Sequence, residues 1–259
     1  MEPWLQPAIG LGAVLALMAG LWLASLPLRN ASIVDAFWGP AFALQAAVYA
    51  ALAPGGPGAR GWLVVSLVGV WAARLAIHIA TRNAGKGEDP RYAAWREQAG
   101  AAWWWRSAFK VFGLQGLLAW FIGLPLWVAT TSGGDGLGWL DAAGVGLWAI
   151  GFYFEAVGDW QLRAWTADPA NRGRTLRSGL WRYTRHPNYF GDAAQWWGLW
   201  LLAVAAGGWW TVLSPALMTL LLVRVSGVGM LERTIVERRP DYADYMRTTS
   251  AFVPWFPRS

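Results

Sequence analysis

Two acidic side chains four residues apart, Glu155 and Asp159, fall inside a long apolar run, and Asp35 falls inside another. Residues i and i+4 share one face of a helix, and a carboxylate within a membrane is costly enough to mark a site by default. Both could instead sit at a solvated helix end, or pair with Arg163, four residues after Asp159. Downstream come Asn171-Arg172-Gly173-Arg174 and then Tyr183-Thr184-Arg185-His186-Pro187-Asn188-Tyr189-Phe190-Gly191-Asp192. Arginines, a histidine, an amide and phenols at the mouth of a helix bundle supply donors for phosphates and an amide, and flat stacking surfaces. Each arginine could equally serve membrane topology alone. Metal chemistry lacks ligands, because the chain holds no cysteine and only His78 and His186. A literal G-x-G-x-x-G at Gly56, Gly58 and Gly61 lies in a proline-rich turn, comes after no strand and has no acidic residue about 20 positions on. It is therefore no dinucleotide fingerprint.

The elements that must position these groups are membrane helices. Only 14% of the 259 residues are charged, against about 25% in a soluble domain. The stretches Ala8–Leu28 and Leu114–Ala129 carry no charge over the length that crosses roughly 30 Å of hydrocarbon. Many of the 22 tryptophans stand at the ends of such runs, as in Trp103–Trp105 and Trp209–Trp210, where amphipathic indoles anchor at the interface. The first run lacks a basic leader and is expected to be a span rather than a signal peptide. Apolar length and the breakers Pro54-Gly55-Gly56-Pro57, 132–136 and Gly207-Gly208 predict seven spans near 6–28, 32–53, 61–81, 108–130, 138–162, 190–206 and 210–231. Seven spans put all but Arg60 and Arg74 of the 21 Lys and Arg on one side, which sets the N-terminus outside and the C-terminus in the cytoplasm. The net charge of +6 and pI near 10.1 then reflect topology and not nucleic-acid binding. The expected fold is an all-α, polytopic integral membrane domain, divided softly into 1–130 (spans 1–4) and 131–259 (spans 5–7 and cytoplasmic loops).

The run Arg185-His186-Pro187-Asn188-Tyr189-Phe190-Gly191-Asp192 resembles a signature shared by steroid 5-alpha-reductases, sterol C14-reductases and, more loosely, isoprenylcysteine carboxyl methyltransferases. Ser32-Ile33-Val34-Asp35-Ala36-Phe37-Trp38-Gly39, the stretch from Thr81 to Tyr92, and Leu231-Glu232 with Arg239-Pro240-Asp241-Tyr242, Tyr245 and Phe252-Val253-Pro254 resemble the bacterial branch of the steroid 5-alpha-reductase family. The resemblance covers most of residues 30–256 and is strongest from Glu155 to Asp192.

The resemblance implies a bacterial inner-membrane reductase, expected as a monomer, that takes a steroid or sterol-like lipid into spans 1–4 and NADPH among the last three. It places Asp159, Asn188, Arg174, Trp196 and Tyr245 at the cofactor, with Asn83 and Lys86 as a loop over it. Glu155, Arg163, Tyr183 and His186 are further candidates on the same side. Asp35 matches a glutamate that binds the 3-keto oxygen, whereas Val70-Trp71-Ala72-Ala73-Arg74 holds no tyrosine where the family's proton donor stands. Tyr92, Tyr49 or another phenol must then supply the acid; Asp35 and Tyr92 form the candidate catalytic pair, with Trp38 and Trp71 as substrate contacts. The implied reaction delivers hydride to C5 of a 3-oxo-4-ene steroid while a carboxyl or carboxyl–phenol pair stabilises the forming enolate. Competing readings are an S-adenosylmethionine-dependent membrane methyltransferase, a sterol C14-type reductase, and a non-catalytic sterol-binding membrane protein.

Overall fold

A run of 24 residues without charge forms the first helix, α1 (Leu5–Leu28), which ends where Arg29 turns left-handed at φ 48°. In the computed structural model, which describes residues 2, 4–133, 136–225, 235, 239, 241–258, every regular element among the described residues is helical. The chain forms two compact units, one of residues 1–138 with 202–211, the other of 139–201 with 212–259.

The expected second span is interrupted. A single turn, α2 (Ile33–Ala36), gives way at Phe37 to α3 (Trp38–Leu52), only 15 residues long. Asp35 therefore lies in a short helix ahead of the main one and not within a continuous apolar span. The helix α4 (Gly58–Asn83) runs unbroken for 26 residues. Next come α5 (Pro90–Ala99), α6 (Trp103–Ser107), a π-helical stretch over Ala108–Gly113, α7 (Leu114–Ile122) and α8 (Leu124–Thr131). The fourth expected span thus bends by 42° at Gly123, just before Pro125, which has no N–H to continue the ladder.

Among the described residues, three helices are each long and apolar enough to cross a bilayer: α1, α4 and α9 (Trp139–Ala167); the bent run ending in α8 makes a fourth. Helices also stand at the other three expected positions, as α3, as α10 (Pro187–Ala205) and as α11 (Leu213–Leu220), which runs on into a π-helical stretch to Val225. The end of the expected seventh span lies outside the described residues, as do Leu231, Glu232 and Pro240. A last short helix, α12, covers Tyr242–Thr248.

Glycines set the packing in both units. A Cβ on Gly39 would stand 2.9 Å from the Ala72 Cα, so α3 and α4 cross at backbone contact. Gln45, fully buried, donates to the Ala119 carbonyl at 3.0 Å, and its side chain fills the space a Cβ on Gly123 would need. It braces the bend from the neighbouring helix. In the second unit, Gly144, Gly151 and Gly158 recur every seventh residue along α9, and Gly191 and Gly198 do so along α10. A Cβ on Gly198 would lie 2.6 Å from the Gly144 carbonyl oxygen, and one on Gly151 would lie 2.5 Å from that of Gly191.

Candidate functional site

In the first unit the structure brings Asp35 and Tyr92 into direct contact. The Tyr92 hydroxyl donates to Asp35 Oδ1 at 2.7 Å, and Gln115 Nε2 donates to the same hydroxyl oxygen at 3.2 Å. Tyr92 is 5% exposed, packs edge-on against Trp95 at 5.6 Å, and lies under the Arg91 guanidinium at 5.6 Å. Arg91 also approaches Asp35 Oδ2 at 3.6 Å while hydrogen-bonding Asp89. Burial pushes the Tyr92 phenol well above its ordinary range, with the charge of Asp35 and the hydrogen bond to it acting the same way. The phenol thus keeps its proton at neutral pH.

A second set of contacts fixes this pair. Glu88 Oε1 accepts the Ala31 N–H at 2.6 Å, Arg96 binds both Glu88 oxygens at 2.7 and 2.9 Å, and the Asp89 N–H reaches Ser32 Oγ at 3.1 Å. These bonds seat the start of α5 on the turn before α2, which carries Asp35. Burial alone would raise the Glu88 carboxyl, but Arg96 and the Ala31 N–H outweigh it and hold the group below the usual carboxylate range. Asp89 caps α5 through the Arg91 N–H, with Pro90 in the first turn. Between α4 and α5, Asn83-Ala84-Gly85-Lys86 closes a turn, the Lys86 N–H donating to the Asn83 carbonyl at 3.0 Å and Gly85 taking φ 72°. Lys86 is exposed and Asn83 half-buried. Trp38 and Trp71 are joined through Phe42, whose ring meets them edge-on at 5.2 and 5.7 Å.

In the second unit, the two acidic residues of α9 are buried, at 3% for Glu155 and 7% for Asp159. Neither lies at a solvated end, and the pairing with Arg163 does not form, because Arg163 is exposed and makes no ion pair among the described residues. The acceptors meet amides from α10 instead. Asn188 Nδ2 donates to Asp159 Oδ1 at 2.9 Å, and Gln195 Nε2 donates to Glu155 Oε2 at 2.7 Å. Gln195 Oε1 is buried without a partner among the described residues. Gly151, Gly158 and Gly191 let the two backbones come close enough for these short side chains to meet.

The remaining expected residues stand elsewhere in the second unit. The Tyr245 hydroxyl, 2% exposed, donates to the Trp181 carbonyl and so pins α12 to the loop before α10. Arg185 donates to the Met246 and Thr249 carbonyls at 3.0 and 2.6 Å, and Thr184 to that of Phe252 at 2.8 Å. This part of the signature fastens the C-terminal segment. His186 is buried and stacked on Tyr189 at 5.4 Å; Trp196 is fully buried; Tyr183 stands at the surface beside Phe256. Arg174 is exposed. A nearby cleft of about 450 Å³ is lined by Arg177, Ser178, Arg182, Tyr245 and Thr248, but Arg177 there is bound to Asp244 at 3.0 Å.

Four residues of these networks escaped the sequence reading: Glu88, Arg96, Gln115 and Gln195. Gln115 had a visible signal, as the one side chain other than an indole able to hydrogen-bond between Lys110 and Thr130. The heptad spacing of glycines on α9 and α10 was the signal for the second site. Among the described residues no cluster of three or more His, Cys, Asp or Glu could hold a metal ion.

Comparison with curated proteins and with solved structures finds no match. A family model described as "Protein of unknown function (DUF1295)" matches residues 21–249. That match covers most of the chain and both networks, and the chain belongs to this family.

Proposed function

We propose that this protein is a membrane-embedded reductase that uses NADPH to saturate the C4–C5 double bond of 3-oxo-4-ene steroids, giving 5-alpha-dihydrosteroids. The observation that carries the reading is the part-buried Tyr92–Asp35 hydrogen bond at 2.7 Å. The resemblance called for a carboxyl–phenol pair, and the tyrosine expected in α4 is missing; a phenol from α5 supplies it. NADPH, when bound, would supply the hydride that C5 takes up. As the double-bond electrons move toward the ketone, Tyr92 donates its proton to the 3-oxygen, and Asp35 returns one to the phenol. The resulting enol relaxes, C4 taking a proton and the oxygen releasing one. Asp35, with a side chain 19% exposed beside the half-exposed Arg91, links the buried phenol to solvent.

The second unit's donors fit a dinucleotide. Amide–carboxylate pairs at Asn188–Asp159 and Gln195–Glu155, with an unpartnered Gln195 Oε1, suit a carboxamide. The exposed guanidiniums of Arg163, Arg172 and Arg174 make no ion pair among the described residues, and suit phosphates. The decisive experiment incubates the detergent-purified protein with progesterone and NADPH. A gain of two mass units in the steroid, matched to NADPH loss, is expected, and Asn188→Ala should lose retained cofactor. Bound S-adenosylmethionine with no reduction would sink the reading.

The proposed topology has seven spans in the bacterial inner membrane, N-terminus outside, with the protein acting as a monomer. Broken helices are tolerated in lipid where neighbouring groups satisfy freed backbone groups; at the bend the Ala119 carbonyl keeps the Gly123 N–H at 2.9 Å and also accepts from Gln45. A C-terminal green fluorescent protein fusion should fluoresce in bacteria; a dark but expressed fusion would place that end outside.

A further inference from the structure

We infer that Gln115 is a positioning residue for the Tyr92 phenol, holding its oxygen while the proton travels between Asp35 and the substrate. The kinetic side of this inference rests on the reductase reading; the geometric side does not.

A phenol oxygen offers one O–H and two lone pairs. Here the O–H is directed at Asp35 Oδ1 at 2.7 Å, and one lone pair takes the Gln115 amide N–H at 3.2 Å. The Trp95 edge and the Arg91 guanidinium hold the ring itself. For the phenol to serve a ketone, the O–H must swing away from Asp35. The Gln115 bond does not use that hydrogen, so it persists through the swing and keeps the oxygen in place. When the proton leaves, the same N–H donates to a phenolate, and a hydrogen bond to an ion is roughly twice as strong as one between neutral groups. Gln115 therefore favours the transferring state over the resting state, the condition for raising turnover and not merely binding.

The local structure shows how an apolar run presents this amide. Gln115 stands in the first turn of α7, directly after the π-helical stretch Ala108–Gly113. A π-turn holds more residues per turn than an α-turn and so rotates the next helical turn about the axis. In a segment otherwise apolar, an amide without a partner would carry a desolvation penalty. The Tyr92 oxygen satisfies one of its donors.

The test uses full-length protein in detergent carrying 3-fluorotyrosine at position 92, monitored by fluorine NMR at neutral pH. Gln115→Met removes the donor with little change of shape, and Gln115→Glu replaces it with an acceptor. The resonance is expected to move in both. With progesterone and NADPH, Q115M should lose about tenfold in kcat with little change in either KM. A resonance unchanged in both variants would overturn the inference. A shifted resonance in a protein that never reduces progesterone would refute the reductase reading and uphold Gln115 as the residue that positions the phenol. Should Q115M not fold, the Q115E spectrum alone decides.

Discussion

Tyr92→Phe is expected to lower kcat for 3-oxo-4-ene reduction by about 10²- to 10⁴-fold, the usual contribution of a positioned general acid, while NADPH retention stays as in wild type. The substitution deletes the one phenolic proton in hydrogen-bond contact with Asp35 and keeps the ring that packs on Trp95. Asp35→Asn should reach a similar loss by another route, since an amide can accept the Tyr92 bond but cannot hand back a proton. Tyr49→Phe is the matched control. Its hydroxyl is buried against Gly10 on α1 with no hydrogen-bond partner among the described residues, so removing it should leave turnover within a few-fold of wild type. Steroid product by mass and cofactor loss by absorbance read both quantities on one sample. If Y92F turns over normally and Y49F does not, the acid is Tyr49 and the α5 phenol only braces the fold.

Composition and charge asymmetry made helices and a membrane legible, because hydrocarbon leaves few choices for a chain so poor in charge. The breaks were harder to see. Ile33 to Leu52 reads as one apolar run, yet Phe37 ends a turn there, and the bend at Gly123, just before Pro125, is braced by Gln45 reaching across from α3. The Asp35–Tyr92 pair was legible as two candidates but not as a contact. Fifty-seven positions separate them, and what joins them is Glu88, Arg96, Ser32 and the Ala31 N–H, ordinary polar residues with no periodic pattern. Tyr245 shows the limit most clearly. Residue type marks a phenol as a donor, but that its hydroxyl meets the Trp181 carbonyl is decided by tertiary packing. Conversely, the resemblance directed attention to Asn188 and Asp159, and the structure joins them to each other at 2.9 Å.

Gly191→Ala is expected to be the most damaging small substitution in the second unit. A single methyl there would collide with the Gly151 carbonyl and the Glu155 N–H, and stand 2.9 Å from the Glu155 Cα. All of these are backbone atoms of α9, which no rotamer change can move aside. The helices must separate, and overpacking of this kind costs about 1–3 kcal/mol or more. Separation would also lengthen the short Asn188–Asp159 and Gln195–Glu155 bonds, leaving buried carboxylates poorly satisfied, a further penalty of about 1–3 kcal/mol or more for each. Gly146→Ala supplies the contrast on the same helix α9, where a Cβ would meet nothing within 4 Å. Alanine is favoured over glycine in a helix by about 0.8–1 kcal/mol, so G146A should melt at or slightly above wild type. Fluorescence-detected size exclusion after stepwise heating compares the two. G191A should lose its monodisperse peak well below the wild-type midpoint and release cofactor first, because the amide–carboxylate pairs lie in the seam that opens. Equal melting of G191A and G146A would mean that the two helices do not meet at backbone contact, and the pairs would then need another explanation for their burial.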